Sequence, residues 1–227
     1  MTASDPNGLG AKFDAHTDAE FNTRDIEATM ATMADAPHVT HVPTMTGGFG
    51  RDDVRHFYAT WFIGHWPKDT EITPLSRTVG EDRVVDEVII RFTHDCDMPA
   101  ILPGVKPTGR KAAIPFVVVV GFEGGKVQFE RIYWDQASLL AQLGLIDATK
   151  LPVSGAEQAA RLLDPSLPSN TLILRRRISV RSSAYASAVR ASAPARPWAR
   201  ATRPSFRSAW RRACVAPLPA RASVCVS

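Results

Sequence analysis

The two apolar runs that flank Gly124-Gly125 restrict the fold more than any other part of the chain. Upstream, Ile114 to Phe122 is β-branched and aromatic, and downstream Lys126 to Trp134 keeps the same character. A Gly-Gly dipeptide between two such runs is the turn of a hairpin. Strand side chains alternate, so Val127, Phe129, Arg131, Tyr133 and Asp135 share one face and Gln128, Glu130, Ile132 and Trp134 the other. The first set is expected to point into a cavity, because Arg131 and Asp135 can pair when buried, whereas Glu130 inside would lack an obvious cation. A slip of one residue would exchange the two sets.

Charge divides the 227 residues into two parts. From Arg175 onward there are twelve arginines and no Asp, Glu, Lys or Gly, which leaves 15 basic against 23 acidic residues before that point. The net charge of +4 therefore describes neither part, and does not make the chain a basic nucleic-acid binder. Residues 1–12 read as a flexible N-terminus and 13–174 as one domain, ample for a single core. Residues 175–227, an Arg/Ala/Ser/Pro mixture without apolar periodicity, read as a disordered tail. That tail has two sharper readings, an out-of-frame extension and a polycationic arm, and nucleic acid is expected only through the arm. Cys96, Cys214 and Cys225 form no disulfide framework and have no metal-ligand spacing. With no apolar run long enough to span a bilayer and no signal-like opening, a cytoplasmic protein is expected.

In chain order, Thr17-Asp-Ala-Glu20 resembles a capping box opening a helix to about Met33. His38 to Pro43 is a short extended segment, and Thr46 to Gly50 a flexible loop. Val54, Phe57, Tyr58, Trp61 and Phe62 fall at helical spacing over Arg51 to Ile63. Strands are expected over Thr70–Val79, Arg83–His94, Lys111–Glu123 and Lys126–Trp134, with a Pro- and Gly-rich loop from Asp95 to Gly109 between the middle pair. Helices over Gln136–Leu143 and from a Ser154–Glu157 cap to before Pro165 complete the domain. Helices followed by a four-stranded meander describe an α+β domain in which a curved, mostly antiparallel sheet wraps around helices.

This order looks like the cone of the nuclear transport factor 2-like (NTF2-like) superfamily. The motifs His41-Val-Pro43, Gly50-Arg51, Phe92-Thr-His94, Pro107-Thr-Gly-Arg110, Ile132-Tyr-Trp-Asp-Gln136 and Leu167-Pro-Ser-Asn170 resemble its SnoaL-like polyketide cyclase (ester cyclase) branch, over about residues 13–172. The resemblance implies an enclosed, mostly apolar pocket and, in an active member, proton abstraction next to a carbonyl without a cofactor, as in an aldol-type cyclase or isomerase. Asp135 matches the family's base. It has an equally good structural reading as the N-cap of the helix that starts at Gln136.

The catalytic candidates are accordingly Asp135, His94 and His41, the histidines as hydrogen-bond donors to an enolate or as ordinary structural residues. The substrate-binding candidates are Arg131, Tyr133, Phe129, Phe92, Tyr58, Trp61 and Phe62. Arg131 stands where close relatives tend to have histidine, and either pairs with Asp135, offering a site for a carboxylate or enolate, or pairs at a rim with Glu87 or Glu130. No metal is expected. The partners expected are a small apolar carbonyl compound and a second copy in a homodimer. A catalytically silent binding or accessory domain is the alternative, since fold alone does not decide function.

Overall fold

The structure, a computed structural model, describes residues 5–178. Helix α1 (Leu9–Asp18) continues into a π-helical turn (Ala19–Thr23) and is followed by α2 (Ile26–Ala31). Strands β1 (Met33–His41) and β2 (Thr46–Phe49) lead to α3 (Arg51–Phe57), which also ends in a π-helical turn (Tyr58–Phe62). The meander β3 (Glu71–Val79), β4 (Arg83–Thr93), β5 (Lys111–Glu123) and β6 (Lys126–Trp134) comes next, then α4 (Gln136–Gln142), α5 (Glu157–Leu163) and α6 (Thr171–Ile178). The six strands form one curved, unclosed sheet in the order β2-β1-β6-β5-β4-β3. Its β1–β6 pair is parallel and the other pairs antiparallel.

The hairpin forms where the glycines place it. Gly124 and Gly125 have φ of 57° and 76°, the left-handed pair that a two-residue turn matching strand twist requires. Three of the strand pairs nevertheless contain a change of register. Gly121 pairs with Phe129 but Phe122 pairs with Val127, so Gln128 is an extra residue on β6. Val127 is buried on the inner face, and beyond the bulge the buried set is Glu130, Ile132 and Trp134. The expectation that Phe129, Arg131, Tyr133 and Asp135 point inward is thus corrected: the bulge turns them out. Phe129 folds over the outer surface of Gly121, where a Cβ would meet its ring at 2.1 Å. A second bulge, at Leu75 between Pro74 and Ser76, brings Arg77 opposite Asp86 on the inner face.

The N-terminal helices also start differently from the sequence expectation. Asp5 accepts the N–H groups of Leu9 (2.8 Å) and Gly10 (3.0 Å), so α1 begins eight residues before Thr17. Thr17 lies inside the helix and donates to the Phe13 carbonyl at 3.1 Å. The capping-box pattern is present, but burial takes Glu20 into the core instead. Asp25 caps α2 through the Ala28 N–H at 3.0 Å. The glycine-rich Thr46–Phe49 segment is strand β2, not a flexible loop, and pairs antiparallel with β1. The expected cap at Ser154 is likewise replaced, with Ala156 at the N-cap of α5.

The core lies between the inner sheet face and the helices. Phe13 from α1, Met30 from α2 and Val54, Phe57, Tyr58 and Phe62 from the α3 region are buried against Val88, Ile90, Ile114, Phe116 and Ile132. Each large side chain of this kind contributes roughly 1.5–3 kcal/mol on burial. The Asp95–Gly109 connection is a plug more than a loop, since Met98, Ala100, Ile101 and Leu102 are all buried. Helix α6 runs past residue 174, where the sequence placed the domain boundary, and the Arg-rich tail from residue 179 onward lies outside the described residues. Among the described residues no helix is long and apolar enough to cross a membrane.

Candidate active site

A cavity of about 60 Å³ opens between the helices and the inner sheet face, several times the roughly 10–15 Å³ that one water needs. Its walls are largely aromatic and aliphatic, with Phe13, Phe21, Phe62, Trp66, Phe116 and Ile132 among them, and its polar lining includes Glu20, Glu130, Tyr58, His41 and Asp86. Both π-helical turns supply lining residues, Glu20 and Phe21 from the first and Tyr58 and Phe62 from the second. Such turns, which bond i to i+5 as Ile63 N does to the Tyr58 carbonyl (2.9 Å), concentrate at functional sites because they re-aim side chains within a helix.

One end of the cavity is a closed acid–base cluster. Thr32 donates its hydroxyl to the Thr29 carbonyl (2.6 Å), so its oxygen accepts from His16 Nδ1–H at 2.6 Å. His16 Nε2 then faces Glu20 Oε1 at 3.3 Å and Glu130 Oε2 at 3.4 Å. A lone pair there would oppose two carboxylates, so the nitrogen carries a proton. Burial works against that charge, but the Glu130 and Glu20 carboxylates outweigh it and raise the His16 pKa to about 10. The Tyr58 hydroxyl donates to Glu130 Oε2 at 2.8 Å. Burial, then the two carboxylates, drive the Tyr58 pKa well above its ordinary value.

The two carboxylates are pushed apart. Burial and the neighbouring Glu130 raise the Glu20 pKa. Glu130 is also buried, but His16, the Tyr58 hydroxyl and His41 prevail and lower its pKa. The two pKa values are thus displaced in opposite directions, as in pairs that divide acid from base. The ligand atoms of His16, Glu20 and Glu130 lie within 4.8 Å of one another, a spacing a divalent ion can also close on.

His41 lines the cavity beside this cluster, its ring against Phe57 (5.4 Å), Phe62 (5.3 Å) and Trp134 (5.8 Å). Burial lowers its pKa to about 4, so it is neutral at physiological pH. The Thr46 main chain favours the protonated ring without outweighing burial, and buried Nδ1 has no protein hydrogen-bond partner. Asp86 closes the other side. It takes two bonds from Arg77, Nε to Oδ1 at 2.7 Å and Nη2 to Oδ2 at 2.6 Å, while Arg77 Nη1 reaches Asp14 at 2.8 Å. The cross-strand register puts His41, Ile132, Val118, Asp86 and Arg77 in one row across the inner face.

Of the residues expected from sequence, the structure brings His41, Tyr58 and Phe62 to the cavity. Asp135 is exposed and caps α4, accepting the Ser138 N–H at 3.0 Å and the Gln158 amide at 2.6 Å. Arg131 stacks on the outward ring of Phe129 at 4.3 Å, and Tyr133 is 41% exposed. Phe92 is buried against Trp66 and Trp61 is 42% exposed. His94 accepts the Thr108 N–H at 3.3 Å and staples the long loop, outside the cavity. His16, Glu20, Glu130 and Asp86 escaped the sequence reading. Only the His16–Glu20 spacing of four, one helical turn, signalled that two titratable groups share a face.

The sequence matches the family model for SnoaL-like polyketide cyclase over residues 13–143. Among solved structures, a protein of Jannaschia sp. CCS1 described as a SnoaL-like polyketide cyclase aligns with a TM-score of 0.50 at 17% identity, covering 65% of this chain and 99% of that one. IdmH of Streptomyces antibioticus, described as a polyketide cyclase, aligns with a TM-score of 0.48 at 20% identity, covering 60% and 98%. TsrD of Streptomyces laurentii gives 0.49 at 16%, covering 63% and 99%. A search of curated proteins found no match. At these identities the likeness is one of fold.

Proposed function

Because this chain belongs to the SnoaL-like polyketide cyclase family, we propose that its cavity binds a small, mostly apolar carbonyl compound and moves a proton next to the carbonyl, in an aldol-type cyclisation or an isomerisation. Glu130 is the base and Glu20 the acid. Support comes from one observation, two buried carboxylates gathered with one imidazole at the end of an apolar cavity, an environment that displaces their pKa values in opposite directions.

Each residue has a task. Ionised Glu130 takes the proton from the carbon beside the carbonyl, and protonated Glu20 donates a hydrogen bond to the carbonyl oxygen as it gains charge. His16, fixed through Nδ1 by Thr32, keeps a positive charge behind both carboxylates and so limits the cost of charge in an apolar enclosure. The Tyr58 hydroxyl orients Glu130. The aromatic walls exclude water, which would compete for the enolate.

Deuterium uptake at the carbons next to the carbonyl of cyclohexanone, followed by NMR in heavy water, tests this without a known substrate. The protein should accelerate uptake, and Glu20→Gln should reduce that acceleration by roughly 10²-fold or more. Uptake unchanged in Glu20→Gln, with the variant's circular dichroism intact, would remove Glu20 from the reaction.

A further inference from the structure

The polar atoms that line the cavity are unevenly divided between donors and acceptors. The Thr17 hydroxyl is spent on the Phe13 carbonyl and the Tyr58 hydroxyl on Glu130. His41 is neutral, and its buried Nδ1 has no protein hydrogen-bond partner. Asp86 is an acceptor with lone pairs beyond the two Arg77 bonds. No lysine or arginine is among the lining residues, and Arg131, which would have held a carboxylate, lies on the outer face.

Charge points the same way. Behind Asp86, the guanidinium of Arg77 pairs with two carboxylates, Asp14 and Asp86. At the other end, the imidazolium of His16 faces ionised Glu130 and protonated Glu20, a cluster with no excess positive charge. An anionic ligand would meet acceptors and carboxylates in a poorly solvated space. A cation would meet hydrogen-bond acceptors and a wall that includes the aromatic rings of Phe21 and Trp66. We infer that the ligand of this cavity carries an amine, entering as a small organic ammonium whose N–H groups bond to Asp86, in preference to a carboxylate or phosphate. This rests on the reading of the cavity as the binding site for the reacting compound, and adds the chemical class of that compound: a carbonyl compound bearing a basic nitrogen.

Tert-butylammonium, tert-butanol and pivalate share one apolar body and differ in charge, so their dissociation constants with the full-length protein at neutral pH isolate the electrostatic preference. The ammonium should bind about tenfold tighter than the alcohol, and pivalate weakest. Asp86→Asn should weaken the ammonium about tenfold and the alcohol less than about twofold. Should loss of the Arg77 partner unfold that variant, the ranking on the unaltered chain still decides. Equal affinities, absence of binding by all three, or pivalate as the tightest ligand overturns the inference. Deuterium uptake into 1-methylpiperidin-4-one, a ketone with a basic nitrogen, measured without the three ligands present, separates the two readings: the ranking without uptake supports the ammonium site and sinks proton transfer, and uptake without the ranking does the reverse.

Discussion

Gly121 and His41 show how single side chains hold this site together. Gly121 is required because the Phe129 ring occupies the volume of a Cβ. Gly121→Ala should cost roughly 1–3 kcal/mol in a denaturant titration by displacing that ring, and through it the β6 bulge. His41 has a folded pKa of about 4 against an ordinary value of 6.5. As pH falls below about 6.5 the unfolded chain takes up the proton first, so stability present above that pH is lost progressively down to about 4. The loss amounts to as much as about 3 kcal/mol. His41→Phe should flatten this acid limb in thermal melts recorded across that range. A limb of unchanged depth would mean that another group titrates there.

The strands β5 and β6 were legible to the residue, because a Gly-Gly turn between two β-branched runs leaves little choice. The inner face of β4 was also legible, since Val88, Ile90 and Phe92 alternate along the strand with Glu87, Ile89 and Arg91. The face of β6 was not. Val127 does point inward, but the extra residue Gln128 reverses every position beyond it, and nothing in Val-Gln-Phe-Glu announces a bulge. The rule that a buried carboxylate needs a cation was sound. Its cation is His16, more than a hundred residues earlier on a helix, which no local pattern connects to Glu130. The helices were partly legible: the α3 stripe was visible, while the π-helical turns that aim Glu20 and Tyr58 carry no sequence signature. Deleting Gln128 should restore a regular ladder and drive Glu130 toward the outer face. We expect loss of the cooperative unfolding transition in near-ultraviolet circular dichroism, and retention of that transition would show that the bulge does not set the register.

The sheet has two faces with different employment. The inner one carries the cavity, and the outer one exposes or half-buries Tyr133, Val117, Val119 and Arg131 side by side across β5 and β6. An apolar strip with charged neighbours suits a two-fold symmetric contact, so we propose a homodimer through this face. Light scattering should return twice the chain mass of 24.8 kDa, and Val119→Glu should return the mass of one chain. A single-chain mass for the unaltered protein would leave that face without a partner copy. The cavity lies on the opposite side of the sheet, lined from α1, the two π-helical turns, Trp66 and the inner sheet face.

Everything proposed for the reaction depends on which carboxylate meets the ligand, Glu130 in β6 or Asp135 just after it. Glu130→Gln and Asp135→Asn, compared side by side for deuterium uptake into cyclohexanone, decide it, because Asn caps a helix about as well as Asp and so leaves α4 in place. Glu130→Gln should lose roughly 10²-fold or more of the acceleration, with Asp135→Asn within about threefold of the unaltered protein. Uptake lost in Asp135→Asn and kept in Glu130→Gln would contradict the assignment of the site to the inner face of the bulged strand.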